Sequence, residues 1–195
     1  MKKSEGTRLF ILQKAFELIY VKGYQATSID EIIASTSVTK GAFFYHFKNK
    51  DDMGLAMINE VMLPAMNGKE VQALKHSKDP VKDIYAFVKN LLESPLMVVT
   101  YGCPAANLTQ EMAPLNKKFS AALGKLAEQW QLMMEASIRN GKKAGTINSR
   151  INARQVTYFV MSGYWGIRNL GKLHNSTESY KIYLKELRRY LDTLR

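Results

Sequence analysis

The sequence predicts an all-α protein, and three observations carry that reading. Every long segment repeats its apolar residues at helical spacing, and no stretch alternates convincingly as a strand would. The breaks between segments fall at residues that cap or stop helices, such as Ser28, Asp79 with Pro80, and Asn152. The 195 residues are 46% hydrophobic, an ordinary fraction for a chain that buries a proper core.

Taken in order, the first apolar stripe is Leu9, Leu12, Ala15, Phe16 and Ile19, stopped near Gly23. Ser28 or Thr27 caps a second helix running to about Ser35, with Glu31 placed to close a capping box from Ser28. Thr39 caps a short third helix. Lys50 begins a longer one that Pro64 bends or ends. Asp79 at the N-cap and Pro80 at the first helical position open the next, which ends before Pro95. "PLMVVTYGCP" is the least regular stretch, and Pro104 opens a short helix through Met112. A long helix is expected from Pro114 to Asn140, stopped by Gly141. Asn152 caps another reaching about Gly171, and Ser176 caps the last, ending near Leu194. This makes roughly nine helices, with no repeat and no low-complexity linker.

Composition narrows the function classes. Cys103 is the only cysteine, so no internal disulfide can form. No stretch approaches the roughly 18 uninterrupted apolar residues of a membrane span. The opening "MKKSEGTRLF" has no apolar run before a cleavage site, so neither a signal peptide nor a membrane partner is expected, and the location is expected to be cytoplasmic. The formal net charge is +11, of which residues 1–55 contribute only +2. Charge alone would therefore send a polyanion to the C-terminal part, whose excess a solvated basic surface explains at least as well. His46, His76 and His174 lie far apart, and there is no metal-ligand cluster, Gly-rich phosphate loop or nucleophile signature. No cofactor or metal is expected, and the chain does not read as an enzyme. A helical enzyme and a non-specific architectural DNA binder stay as the alternatives.

"SVTKGAFFYHFKNKDDM", from Ser37 to Met53, is the informative stretch. Counting His46 with Phe43, Phe44, Tyr45 and Phe47, five of the nine residues from Lys40 to Lys48 carry an aromatic ring. On a helical wheel Phe43 and Phe47 share one face, expected to pack on Ile29, Ile32 and the first helix. Gly41, Ala42 and Tyr45 point the other way, flanked by Phe44 and His46. Small residues near a helix start permit close approach to something large, and Lys40, Lys48 and Lys50 surround that face with positive charge. Such a face suits the major groove of DNA.

Here the sequence closely resembles the TetR family of bacterial transcription regulators. The likeness runs through "ILQKAFELIYVKGYQATSIDEIIASTSVTKGAFFYHFKNKDDM", Ile11 to Met53. It includes a phenylalanine near the end of the first helix, a glycine with an aromatic, "T-S/T-I/V-x-x-I", and "G-x-F/L-Y-x-H-F-x-x-K". Two positions depart: Ser37 stands where the family usually has a turn glycine, and Phe44 where it commonly has a tyrosine whose hydroxyl meets phosphate. The resemblance implies a three-helix DNA-binding head, residues 1–50, on a larger ligand-binding and dimerisation body, residues 51–195. It implies a repressor that binds a palindromic double-stranded operator as a homodimer and is released by a small molecule. Thr39 and Lys40 then lie near phosphate and base edges, and Gly41, Ala42 and Tyr45 face bases. His46 and Lys50 resemble phosphate anchors, Thr27 or Ser28 adds another at a helix N-terminus, and Phe44 sits on the flank.

"GCPAANLTQEMAPLNKKF", Gly102 to Phe119, resembles a subgroup with "G-C-x-x-x-N-L-x-x-E". Its Cys103 reads either as an electrophile or oxidant sensor or as a small buried hydrophobe. A dimer face is expected on the last two helices. Val156, Phe159, Val160, Gly163 and Ile167 line one side of the first, and Tyr180, Tyr183, Leu184, Leu187 and Leu191 line the second. Ordinary internal packing accounts for some of them too. For a pocket the candidates are Met62, Met66, Phe87, Leu91, Tyr101, Cys103 and Leu108. Phe119, Trp130, Met134, Tyr158, Met161 and Trp165 complete the set, although each taken singly also reads as core. Methionines and aromatics in that number suit a small apolar or aromatic ligand.

Overall fold

The computed structural model describes the backbone of residues 3–66 and 68–195. The side chains of Lys3, Met66, Lys69, Glu70 and Val71 lie outside the description, and with them the Met66 pocket assignment. Regular structure among the described residues is helical throughout. The chain forms two compact units, Met1–Met66 with Pro104–Leu126, and Asn67–Cys103 with Ala127–Arg195.

The first unit holds α1 (Lys3–Lys22), α2 (Ile29–Thr36), α3 (Lys40–His46) and α4 (Lys50–Met57). After α4 a π-helical turn, Ile58–Met62, leads into α5 (Leu63–Met66). Pro64 therefore does not end the helix. The distortion lies just before it, where the Leu63 N–H donates back to the Ile58 carbonyl. A widened turn relieves the clash between a proline ring and the carbonyl one turn earlier. From later in the chain come α8 (Pro104–Met112) and the start of α9 (Lys117–Lys143). Ile11, Leu12, Ala15, Ile32, Phe43 and Met53 are fully buried and join in one core with Leu108, Met112 and Phe119. The stripe of α1 is thus turned slightly from the sequence expectation: Ile11 is buried, and Leu9 and Phe16 only half-buried. A Cβ on Gly54 would stand 2.7 Å from both the Phe119 and Tyr24 rings, so only glycine fits there.

The second unit holds α6 (Lys69–Lys75), α7 (Pro80–Glu93), a 3-10 turn at Val99–Tyr101, the rest of α9, α10 (Ala153–His174) and α11 (Glu178–Asp192). The sequence reading missed α6, and it misplaced two boundaries. Gly141 does not stop α9; it lies inside it, where a Cβ would come within 2.7 Å of Pro80. The chain turns at Gly145 instead, with φ +74°. The N-cap of α11 is Thr177, while the Ser176 hydroxyl accepts the Glu178 N–H at 3.2 Å.

The packing of α10 on α11 buries much of the expected dimer face within the chain itself. Val156, Val160, Tyr180, Leu184, Leu187 and Leu191 are buried within the single chain. Gly163 faces Tyr183 of the same chain, whose hydroxyl would lie 2.7 Å from an added Cβ. Tyr183 itself donates to the Val160 carbonyl at 3.3 Å, and Ile167 is half-buried. An amphipathic stripe shows that a face is covered; it does not show whether the cover is the same chain or a second copy.

Ser37 ends α2 in the left-handed region, φ 56° and ψ 18°. That conformation costs an L-residue about 1–2 kcal/mol, while a glycine adds about 0.4–1 kcal/mol of unfolded-state entropy. Ser37→Gly should therefore stabilise the protein by about 0.5 kcal/mol. Urea unfolding that shows a loss of stability would mean the serine hydroxyl holds something the geometry does not reveal.

Candidate nucleic-acid interface

The front of the head is built by caps. Ser28 is the N-cap of α2 and closes a full capping box: its Oγ accepts the Glu31 N–H at 3.2 Å, and the Glu31 carboxylate accepts the Ser28 N–H at 2.7 Å. Lys22 donates to the same carboxylate at 2.6 Å. Together Lys22 and Ser28 push the Glu31 carboxyl down to about 2. Its folded pKa is lowered, so its contribution is complete above the ordinary carboxylate range and is lost as pH falls toward 2. The stability difference between the natural protein and Glu31→Gln should hold from pH 7 to about 5 and shrink below about 4.5. A difference independent of pH would break the assignment.

Thr39 is the N-cap of α3, its Oγ1 accepting the Ala42 N–H at 3.1 Å. A seven-residue helix has little intrinsic stability, and two buried rings hold this one. Phe43 is 0% and Phe47 1% exposed, with centroids 5.5 Å apart. The Arg8 guanidinium stacks on Phe47 at 4.5 Å, donates to the His46 carbonyl at 2.8 Å, and is paired with Glu60. On the opposite side Tyr45 is 78% exposed, and Thr39, Lys40 and Gly41 are exposed beside it. Ala42 and His46 are half-buried, and Phe44 is exposed with its ring edge-on to Phe43.

Of the sequence-selected residues, Thr39, Lys40, Gly41 and Tyr45 are exposed at α3, and Ala42 is half-buried among them. Thr27 is a correction. It is fully buried, and its hydroxyl donates to the Gly23 carbonyl at 2.7 Å, so its side chain cannot reach a phosphate. Lys50 is half-buried rather than extended, its ammonium 3.3 Å from the Gln25 carbonyl. Lys40 lies 3.4 Å from Asp30, an exposed pair that holds it only weakly.

The pocket candidates divide between the two units. Met62 and Leu108 border a cleft of about 20 Å³ in the first, room for about one water. Phe119 is consumed by packing on Tyr24 and the Gly54 site. In the second unit Phe87, Trp130 and Tyr164 form an edge-to-face series with centroids 5.7 and 5.0 Å apart. Met134 and Met161 are buried in the same unit, and Leu91, Tyr101 and Trp165 are half-buried. Tyr158 is corrected: it is 49% exposed beside Arg154. Cys103 is 4% exposed and hydrogen-bonds with Tyr164, whose hydroxyl is held well above its usual range first by burial, then by that cysteine. Sequence reasoning missed Tyr164 and Arg168. Arg168 is completely buried and donates to the carbonyls of Met97, Val98 and Gly102. Nothing in a helical periodicity marks an arginine as interior.

A capped short helix, anchored by aromatics and turned by Ser37 from a second capped helix, defines a helix-turn-helix DNA-binding head. Residues 11–57 match the family described as bacterial regulatory proteins, tetR family, and residues 80–187 match the tetracyclin repressor-like C-terminal domain. The chain belongs to the TetR family of DNA-binding transcriptional regulators. The transcriptional regulator AcuR of Cereibacter sphaeroides is 29% identical over 140 residues, covering 71% of this chain and 64% of its own. This chain thus spans just under two thirds of that relative's length. The transcriptional repressor DhaR of Mycobacterium sp. strain GP1 is 22% identical over 177 residues, 91% of this chain and 88% of its own. A TetR-family regulator from Cytophaga hutchinsonii shares the fold with a TM-score of 0.87 at 17% identity, covering 100% of this chain and 98% of its own. Among the described residues no helix is long and apolar enough to cross a membrane.

Proposed function

We propose that the chain is a cytoplasmic, ligand-responsive repressor that binds a palindromic operator as a homodimer. Residues 1–50 meet the DNA, and residues 51–195 bind the ligand and a second copy. The observation that carries this reading is the division of α3, with Phe43 and Phe47 buried and Tyr45 standing 78% exposed beside Thr39, Lys40 and Gly41. Tyr45, Gly41 and Ala42 face base edges, whereas Thr39, Lys40, His46 and Lys50 approach the backbone, with Ser28 at the start of α2.

Pairing is supported by the apolar residues that α10 and α11 leave outside. Phe159 is 57% and Ile182 63% exposed. A groove of about 430 Å³ runs along Phe159, Tyr183, Leu187 and Tyr190. Two linked heads gain affinity that neither has alone. The ligand is a small apolar or aromatic molecule, because the second unit's interior is built from Phe87, Trp130, Tyr164 and methionines. Trp130 Nε1 is buried there without a hydrogen-bond partner. The burial of Cys103 favours its core reading over that of an electrophile sensor.

Selection of duplexes from a random library by the purified protein should enrich one palindromic sequence. Tyr45→Ala should keep the fold and lose preference at particular base pairs, and Phe159→Glu should shift sedimentation toward monomer. Failure to enrich any sequence, or an unaltered preference in Tyr45→Ala, would defeat the proposal.

A further inference from the structure

The turn between α1 and α2 sets where α2 begins, and two side chains hold it from different directions. From α8, the Glu111 carboxylate accepts the Tyr24 N–H at 2.8 Å and the Gln25 N–H at 2.6 Å, one on each oxygen. Gly23 lets the chain turn here with φ +94°, a conformation that L side chains rarely adopt; space is not the reason, since an added Cβ would meet the two oxygens at ordinary contact, 3.4 and 3.5 Å. From α4, the Lys50 ammonium donates to the Gln25 carbonyl at 3.3 Å and lies over the Tyr24 ring, 4.5 Å from its centroid. The Tyr24 hydroxyl donates to Asp51 at 2.7 Å, and Asn116 donates to the other oxygen of Asp51 at 3.1 Å. The backbone of Gln25 is thus gripped at its N–H by a carboxylate and at its carbonyl by an ammonium. Hydrogen bonds to ionised groups are the strong kind.

We propose that Glu111 is a positioning residue for DNA binding. By fixing the turn at residues 23–25 it fixes the Gln25 carbonyl, and that carbonyl parks the Lys50 ammonium at the head's DNA-facing edge. The inference rests on the reading above in which Lys50 approaches the DNA backbone. It also makes α8, an element outside residues 1–50, part of what shapes the head. Loss of the carboxylate has two opposing effects on DNA binding. Removing a negative charge favours any duplex slightly, an effect that salt screens. Releasing the turn disfavours only the duplex that needs Lys50 in one place.

The test uses the whole chain in the oligomeric state it adopts, the duplex that it selects, and a scrambled duplex of equal length. Glu111→Gln should weaken binding to the selected duplex about tenfold while leaving the scrambled duplex unchanged or slightly tighter. In a Lys50→Ala background the same substitution should cost less than about threefold, because the two residues act through one carbonyl. Amide exchange at Tyr24 and Gln25 should quicken at least about tenfold in Glu111→Gln, with or without DNA. A merely structural role would weaken both duplexes equally in both backgrounds, and that result overturns the proposal. Unchanged exchange at the two amides also overturns it. If the natural protein selects no duplex, the DNA-binding reading fails first and the positioning role falls with it, while the exchange rates still report whether the grip exists.

Discussion

Phe43→Ala should remove about 3–5 kcal/mol of stability from the first unit, the range for truncating a fully buried aromatic. The side chain is 0% exposed and touches Phe44 and Phe47 at centroid distances of 5.4 and 5.5 Å. It is also the main anchor of a seven-residue helix too short to persist unaided. DNA binding should therefore disappear at temperatures where the second unit is still folded. Tyr45→Ala, two residues on and 78% exposed, should change stability by less than about 0.5 kcal/mol. The probe matters. Trp130 and Trp165 both belong to the second unit, so tryptophan fluorescence is blind to the head. Far-UV circular dichroism or amide exchange over residues 11–57 should carry the early transition. Equal effects of the two substitutions would mean α3 is not anchored as described.

Arg168→Leu should cost about 3 kcal/mol or more in the second unit. The guanidinium, wholly buried on α10, donates to the carbonyls of Met97, Val98 and Gly102, and the Tyr180 ring lies 5.6 Å from its centre. Each buried carbonyl left without its donor costs about 1–3 kcal/mol, less whatever the segment regains by turning toward water. Thr100 is tied to the same region by its hydroxyl, which donates to Asn175 at 2.6 Å. Arg168→Lys should recover only part of the loss, because one ammonium cannot span three carbonyls as a planar fork does. Urea unfolding followed by tryptophan fluorescence reads this unit directly, and limited proteolysis should find new cleavage between residues 96 and 102. A loss below about 1 kcal/mol would show that the three carbonyls find water without penalty.

Much of the head was legible because its signals are local. The Ser28 to Glu31 capping box, Thr39 as a cap, and the separation of Phe43 and Phe47 from Tyr45 all rest on residues within a turn or two. So does the left-handed Ser37, marked by the glycine that the family usually places there. Pro80 and Asn152 likewise fixed helix starts through backbone chemistry that needs no distant partner. Gly141 misled because glycine has two uses. It can end a helix through a positive φ, or, as here, let Pro80 and Ile147 press against a helix that continues. The expected dimer face is ambiguous for a related reason, since Tyr180, Leu184, Leu187 and Leu191 declare an apolar face without naming its cover, which within this chain is α10 packed on α11. Glu111 stood in a quoted motif, yet its partners lie 87 and 86 residues earlier.

The sequence by itself determined the all-α class, the helix-turn-helix, the anchored and presented faces of α3, and the family. These follow from propensity, caps and helical periodicity, which act over neighbouring residues and are written in order along the chain. Only the tertiary structure decided that Thr27 is buried, that Gly163 meets Tyr183 of its own chain, that Arg168 lies inside, and that Glu111 holds the turn before α2. Each depends on which segments meet across long separations in sequence. Many arrangements satisfy one hydrophobic pattern, but only one brings a given carboxylate to a given pair of N–H groups.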